Sequence, residues 1–230
     1  MVQMNPLSGK PLRYLIGADE VPWVVPGCLT MMPYDHPPIR GGLCAGYCNL
    51  FDEHNTGKYG PYLYTSDTAH DYDEGQIDPK GRGWVGNLRD QFKLRSRQGF
   101  EYIELDNADA YDIAAVIGAI EFAGNEYGLK VLAKNPQLMD GSEACAAYLR
   151  HPNVYGAIVE RDAGGPQMMD HWRVTVGKPD MPVWFVSFGR AGKSWAQDLA
   201  PRAERYKFMG VTWSKRGEYG SSVDILRPRT

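Results

Sequence analysis

The chain has 230 residues, enough for one sizeable α/β core without requiring a second domain. A formal net charge of -3 and a sequence pI near 6.0 provide no basic surface for nucleic acid. No segment approaches the length of a membrane span, and residues 1–10 lack the apolar run of a signal peptide. The sequence therefore reads as soluble and, as given, cytoplasmic, or as secreted if a leader has been removed.

In chain order, Leu12 to Asp19 reads as a first strand ending in an acid, and Gly27 to Met32 as a weak second. Leu43 to Leu50 is a third. From Phe51 to Gly86 the composition turns to Gly, Asp, Tyr, His and Pro without sustained periodicity, which predicts a long loop region. Asn87 can cap a helix that runs to Gln98 and stops at Gly99. A fourth strand spans Tyr102 to Asp106, and a helix with apolar residues at Ile113, Val116, Ile117, Ile120 and Ala123 ends at Gly128. Strands at 129–133, 155–160, 182–188 and 209–213 then alternate with helices at 142–150, 166–176 and 194–206.

Eight apolar strands joined by helices predict a single (β/α)8 barrel over residues 1–230, with an irregular loop region in its N-terminal third. The alternative is an open doubly wound sheet, which the weak second strand leaves in play. Polar residues gather where the strands end, at Asp19, Asn49, Asp106, Asn135, Glu160, Ser187 and Ser214. In a barrel of parallel strands that is the end at which active sites are built.

The densest acid lies in residues 99–111, where Glu104, Asp106 and Asp109 crowd one strand and its exit. Side chains alternate along a strand, so Tyr102, Glu104 and Asp106 share one face and Ile103 and Leu105 the other. A barrel would hold those acids inside, which is costly unless they are paired or line a wet cavity. Asp106 and Glu160 end the fourth and sixth strands. With neighbouring strands about 4.8 Å apart, their carboxyl tips would sit roughly 5–9 Å from each other. That interval covers both glycosidase geometries, about 5–5.5 Å for retention and about 6.5–9.5 Å for inversion. Each acid could equally be bonded to a neighbouring loop or to Arg161. Lys134-Asn135-Pro136 closes the fifth strand between them, as a cation and amide for the site or simply as an Asn-Pro turn.

Other motifs are weaker. Residues 187–194 imitate a phosphate-binding loop ending in Gly192-Lys193-Ser194, but Ser187 stands where the first glycine belongs, and Ser194 reads as a helix cap. Gly81, Gly83 and Gly86 fit GxGxxG without an apolar strand leading into it. Asp71, Asp73 and Glu74 read as a solvated acidic loop ahead of a cation site. Cys28, Cys44, Cys48 and Cys145 show no CxxC spacing and read as buried thiols, not as a zinc site. The 14 Tyr and 6 Trp exceed what a core alone usually needs and suit stacking on sugar rings.

Residues 99–111, with their Leu105-Asp106-Asn107-Ala108-Asp109-Ala110-Tyr111 core, resemble the GFD-x-x-x-x-DN-x-D-x-Y signature of glycoside hydrolase family 114, the endo-α-1,4-polygalactosaminidases and their relatives. Residues 128–135 are similar to that family's GL-x-x-x-x-KN strand, and 157–160 to its strand ending in a second acid. Trp84 and the helix into Gly99 are similar to the segment preceding the signature. The resemblance implies a (β/α)8 barrel and endo-hydrolysis of an α-linked amino-sugar polymer, with no metal or organic cofactor and a carbohydrate polymer or oligosaccharide as partner. It implies Asp106 and Glu160 as the carboxylate pair; Glu104, one inward step deeper on the same strand, is placed to orient Asp106 or to contact Lys134. Asp19, Tyr47, Asn107, Asp109, Tyr111, Asn135 and Trp213 are then candidates for sugar contacts. Two other readings stand beside it, a carbohydrate-binding barrel without turnover and a lyase or aldolase using Lys134 as a Schiff base.

Overall fold

The structure is a computed structural model that describes residues 4–14, 24–32, 36–52, 57–65, 74–159, 165–185 and 225–226. Its main sheet has the order β10-β1-β2-β3-β6-β7-β8-β9, formed by β1 (Leu12–Tyr14), β2 (Leu29–Met31), β3 (Leu43–Asn49), β6 (Tyr102–Asp106), β7 (Lys130–Lys134), β8 (Val154–Val159), β9 (Val183–Phe185) and β10 (Ile225–Leu226). Every pairing from β1 to β9 is parallel, and β10 runs antiparallel on β1. A separate antiparallel pair, β4 (Tyr62–Thr65) and β5 (Gly75–Ile77), stands apart from the main sheet.

The sheet is rolled into a barrel, and three bonds establish it. In the strand order β1 lies four places from β7, so a flat sheet would hold them about 19 Å apart. Yet Lys134 Nζ on β7 donates to Tyr14 Oη on β1 at 2.5 Å, and Tyr14 Oη donates to Glu104 Oε1 on β6 at 3.1 Å. At the seam, the indole Nε1 of Trp184 on β9 donates to the carbonyl of Lys10, just before β1, at 2.9 Å. The open doubly wound sheet is thereby set aside. The short second strand is real despite its weak pattern: Leu29, Thr30 and Met31 pair in register with Leu43, Cys44 and Ala45.

Strand alternation divides the core in two. Leu12, Tyr14, Leu29, Met31, Ala45, Tyr102, Leu132, Ile158 and Trp184 fill the barrel interior together with Leu7. Cys44, Cys48, Ile103, Leu105, Val131, Ala133, Ala157, Val159 and Val183 face outward into the helical layer. Gly156 has to be small, because a Cβ there would lie 2.7 Å from the Trp184 ring.

The helices form where apolar residues recur at helical spacing. Helix α1 (Arg82–Gln98) buries Trp84, Leu88, Phe92 and Arg95. Helix α2 (Ile113–Tyr127) buries Val116, Ala119, Ile120 and Ala123 and begins with the Asp112 side chain accepting from the Ala115 N–H at 2.8 Å. Both end on a left-handed glycine, Gly99 and Gly128, as expected from sequence. Helices α3 (Ser142–Arg150) and α4 (Gly165–Thr175) complete the described layer.

Two details of the N-terminal third differ from the sequence expectation. The 51–86 stretch is not wholly irregular, since β4 and β5 form within it. Helix α1 starts five residues before Asn87, which is buried within the helix instead of capping it. The glycines there serve packing: a Cβ on Gly83 would collide with the Tyr59 carbonyl, so this part of GxGxxG admits a neighbouring segment. The expected helix at 194–206, the strand at 209–213 and the phosphate-loop imitation at 187–194 lie outside the described residues.

Candidate active site

Strands β3, β6 and β7 bring a polar cluster to the C-terminal end of the barrel, where parallel strands present their last inward side chains. Register sets its layers: Tyr47 pairs with Glu104 and Asn49 with Asp106 across β3 and β6.

The lower layer is sealed. Glu104 is 0% exposed and Lys134 1% exposed, and Lys134 Nζ sits 2.5 Å from Glu104 Oε1. Tyr14 Oη lies between them, accepting from Lys134 at 2.5 Å and donating to Glu104 at 3.1 Å. An isolated charge in the interior is very costly, so each ion is tolerated because the other compensates it. Glu104 thus contacts Lys134, one of the two roles expected of it.

The upper layer meets solvent. Asp106 is half-buried, and each of its oxygens accepts a hydrogen bond. Tyr47 Oη donates to Oδ2 at 2.8 Å from β3, and the backbone N–H of Asn107 donates to Oδ1 at 2.9 Å. The second bond exists because Asn107 adopts a left-handed conformation, φ 58°, which asparagine tolerates better than most residues. Strand β7 ends in the same way, with the charged Lys134, a left-handed Asn135 at φ 45° and then a single 3-10 turn. Asn135 donates its backbone N–H to the Ile158 carbonyl at 2.8 Å.

The other expected site residues divide as follows. Asp109 is half-buried in the 3-10 turn at Ala108–Ala110. Tyr111 lies in the helical layer instead of the site wall, 6% exposed, its ring 4.7 Å from Trp84 and its hydroxyl donating to the Leu50 carbonyl at 3.1 Å. Asn107 directs its amide nitrogen to Asn49 Oδ1 at 2.8 Å. Asp19, Glu160 and Trp213 lie outside the described residues, as do Asp71 and Asp73.

Sequence reasoning missed Tyr14, Gln91 and Tyr148. Gln91 on α1 bonds both backbone groups of Asn49, accepting from its N–H at 2.8 Å and donating to its carbonyl at 2.6 Å, as a neighbouring strand would. No local pattern marks such a glutamine. Tyr148 on α3 is fully buried, with the backbone of Lys134 beside its hydroxyl. Burial pushes this phenol well above the ordinary tyrosine range, and the nearby charges of Glu104, Asp109 and Asp106 push the same way. Three acids therefore act on one point behind β7. Among the described residues no group of His, Cys, Asp and Glu is arranged to hold a metal ion.

The rolled sheet is a fold that also occurs in a glycoside hydrolase domain. It is similar to the structure of Ega3 from Aspergillus fumigatus, solved in complex with galactosamine, with a TM-score of 0.64 at 11% identity over 98% of each chain. It is also similar to the glycoside hydrolase domain of PelA from Pseudomonas aeruginosa, with a TM-score of 0.59 at 13% identity over 92% of this chain and 98% of that one. At such identities the likeness is one of fold. No protein-family profile and no curated protein matches the sequence.

Proposed function

We propose that the chain is a single catalytic domain that hydrolyses an α-linked amino-sugar polysaccharide with two carboxylates. The observation that carries this is Asp106. It is an acid at the C-terminal end of a barrel strand, half-exposed, with one donor on each oxygen. In this reading Asp106 is the nucleophile, or the general base if the reaction inverts, and Glu160 donates the proton to the leaving oxygen. Glu104 cannot serve as that acid, because it is sealed from solvent and paired with Lys134. The two similar barrels support the reading by fold, and the galactosamine bound to Ega3 favours amino sugars as the first substrates to try.

The Schiff-base alternative finds no support in the geometry. An amine that attacks a carbonyl has to be neutral and reachable, and Lys134 is 1% exposed and ion-paired.

Reducing-end release from a panel of purified polysaccharides, deacetylated amino-sugar polymers included, tests the proposal. Wild-type protein should cleave at least one polymer, and Asp106→Asn and Glu160→Gln should each lower kcat by at least about 1,000-fold while glycan binding persists. Wild-type protein that binds glycans and never cleaves one would instead be a carbohydrate-binding barrel.

A further inference from the structure

Asn49, the last residue of β3, is 0% exposed, and its side chain joins three segments around Asp106. The orientation of its amide follows from its partners. The backbone N–H of Phe51 donates to Oδ1 at 2.9 Å, and a backbone N–H can only donate, so that atom is the oxygen. The nitrogen then faces Glu74, whose carboxylate accepts at 2.9 Å. With Oδ1 fixed, Asn107 has to present its own amide nitrogen to it, which it does at 2.8 Å. Asn107 is the left-handed residue whose backbone N–H bonds Asp106 Oδ1.

Helix α1 holds the other end. Gln91 bonds both backbone groups of Asn49, Asn87 Nδ2 approaches the Asn49 carbonyl at 3.3 Å, and Gln91 Nε2 donates to Asn87 Oδ1 at 2.9 Å. A continuous set of hydrogen bonds therefore runs from the helical layer through Asn49 and Asn107 to the carboxylate of Asp106. Backbone groups fix the donor and acceptor senses: those of Asn49 set Gln91 and through it Asn87, and the Phe51 N–H sets the Asn49 side chain and through it that of Asn107.

We infer that Asn49 is a positioning residue for the reaction: by locking the left-handed turn at Asn107 it keeps that residue's N–H on Asp106 and so aims the carboxylate. The inference rests on the reading of Asp106 as a catalytic group. Fully buried, Asn49 acts through Asn107 and not on substrate. Its effect belongs in kcat more than in KM, because a displacement of about 1 Å in a reacting group costs on the order of 100-fold in rate.

Asn49→Asp is the informative substitution. It keeps the shape and an acceptor oxygen for Phe51 and Asn107 but turns a second carboxylate oxygen toward Glu74, and the repulsion between the two carboxylates displaces the side chain and loosens its hold on Asn107. Expected results are a kcat lower by about 10- to 100-fold with KM within about threefold. The deficit relative to wild type should shrink at acid pH, where a proton shared by the two carboxylates restores a donor. Adding Glu74→Gln supplies an amide donor across the same gap, and N49D/E74Q should recover kcat to within about fivefold of wild type. An N49D enzyme with wild-type kcat, or a loss that E74Q does not recover, overturns the inference. If N49D does not fold, Asn107→Asp breaks the same link from the half-exposed side, and unchanged kcat there overturns it equally. If wild-type protein cleaves no polysaccharide, the hydrolase reading itself fails. Crystal structures of wild type and N49D then decide the positioning role: it stands if Asn107 leaves its positive φ and its N–H leaves Asp106, and falls if the turn is unchanged.

Discussion

Glu104 and Asp106 are two residues apart on one strand, face the same way and carry the same charge, yet only Asp106 meets solvent. One step deeper into the barrel makes the difference. There the walls close over the side chain, and Glu104 is held by Lys134 and Tyr14, whereas Asp106 keeps an open side and two orienting donors. Removing one member of the sealed pair leaves the other charge buried. Glu104→Leu should therefore cost about 3–5 kcal/mol in urea unfolding, and adding Lys134→Met should recover much of it. A loss below about 1 kcal/mol for the single variant would mean the pair contributes little to holding the barrel shut.

At the scale of elements, packing between strands governs which small residues can be replaced. Gly156 on β8 leaves room for the Trp184 ring, and that ring carries the bond from β9 to the segment before β1. A methyl group at 156, 2.7 Å from the ring, has to displace it. Gly156→Ala should lower stability by about 1–3 kcal/mol and alter the tryptophan emission as the indole leaves the Lys10 carbonyl. Unchanged emission and stability would show that the seam does not depend on this contact. The turns that close β6 and β7 are the second element-level device, since a left-handed asparagine after a charged strand end recurs on adjacent strands. The Asp-Asn and Lys-Asn pairs are visible in the sequence, but neither shows by itself that the Asn107 N–H turns back on Asp106 while that of Asn135 reaches the Ile158 carbonyl.

Across the whole molecule, the two ends of the barrel have different tasks. The strand C-termini carry the candidate site, and the opposite end carries joints such as Lys178, which donates to the carbonyls of His151 at 2.6 Å and Val154 at 2.8 Å. Burial pushes this amine down from 10.5 to about 8, against an opposing pull from Asp180. A folded-state value below the unfolded one means that the unfolded chain binds the extra proton between about pH 8 and about pH 10.5. The contribution of Lys178 to stability is therefore lowest below about pH 8 and rises through that window. Wild-type protein should gain stability over Lys178→Met as pH is raised from about 7.5 to about 10 in chemical unfolding. A difference that stays flat across the window would rule out burial of this amine as its cause.

The sequence by itself determined the alternation of strands and helices, the ends of α1 and α2 at glycine, and the sharing of one face by Tyr102, Glu104 and Asp106. These follow from local rules: side-chain period, capping chemistry and the conformational freedom of glycine. It also singled out Asp106, because an acid at a strand end needs no partner to be conspicuous. Only the tertiary structure decided that Glu104 is an ion-pair partner, that Tyr111 belongs to the core, that Tyr14 and Gln91 join the site, and that Asn49 bonds Asn107. Tyr14 and Glu104 are 90 residues apart in the chain, Asn49 and Asn107 are 58, and no local period encodes such a meeting. The first is produced by rolling the sheet, which brings β1 across the barrel to β6 and β7, and the second by the parallel pairing of β3 with β6, and together they set the depth at which an inward acid is buried or left open.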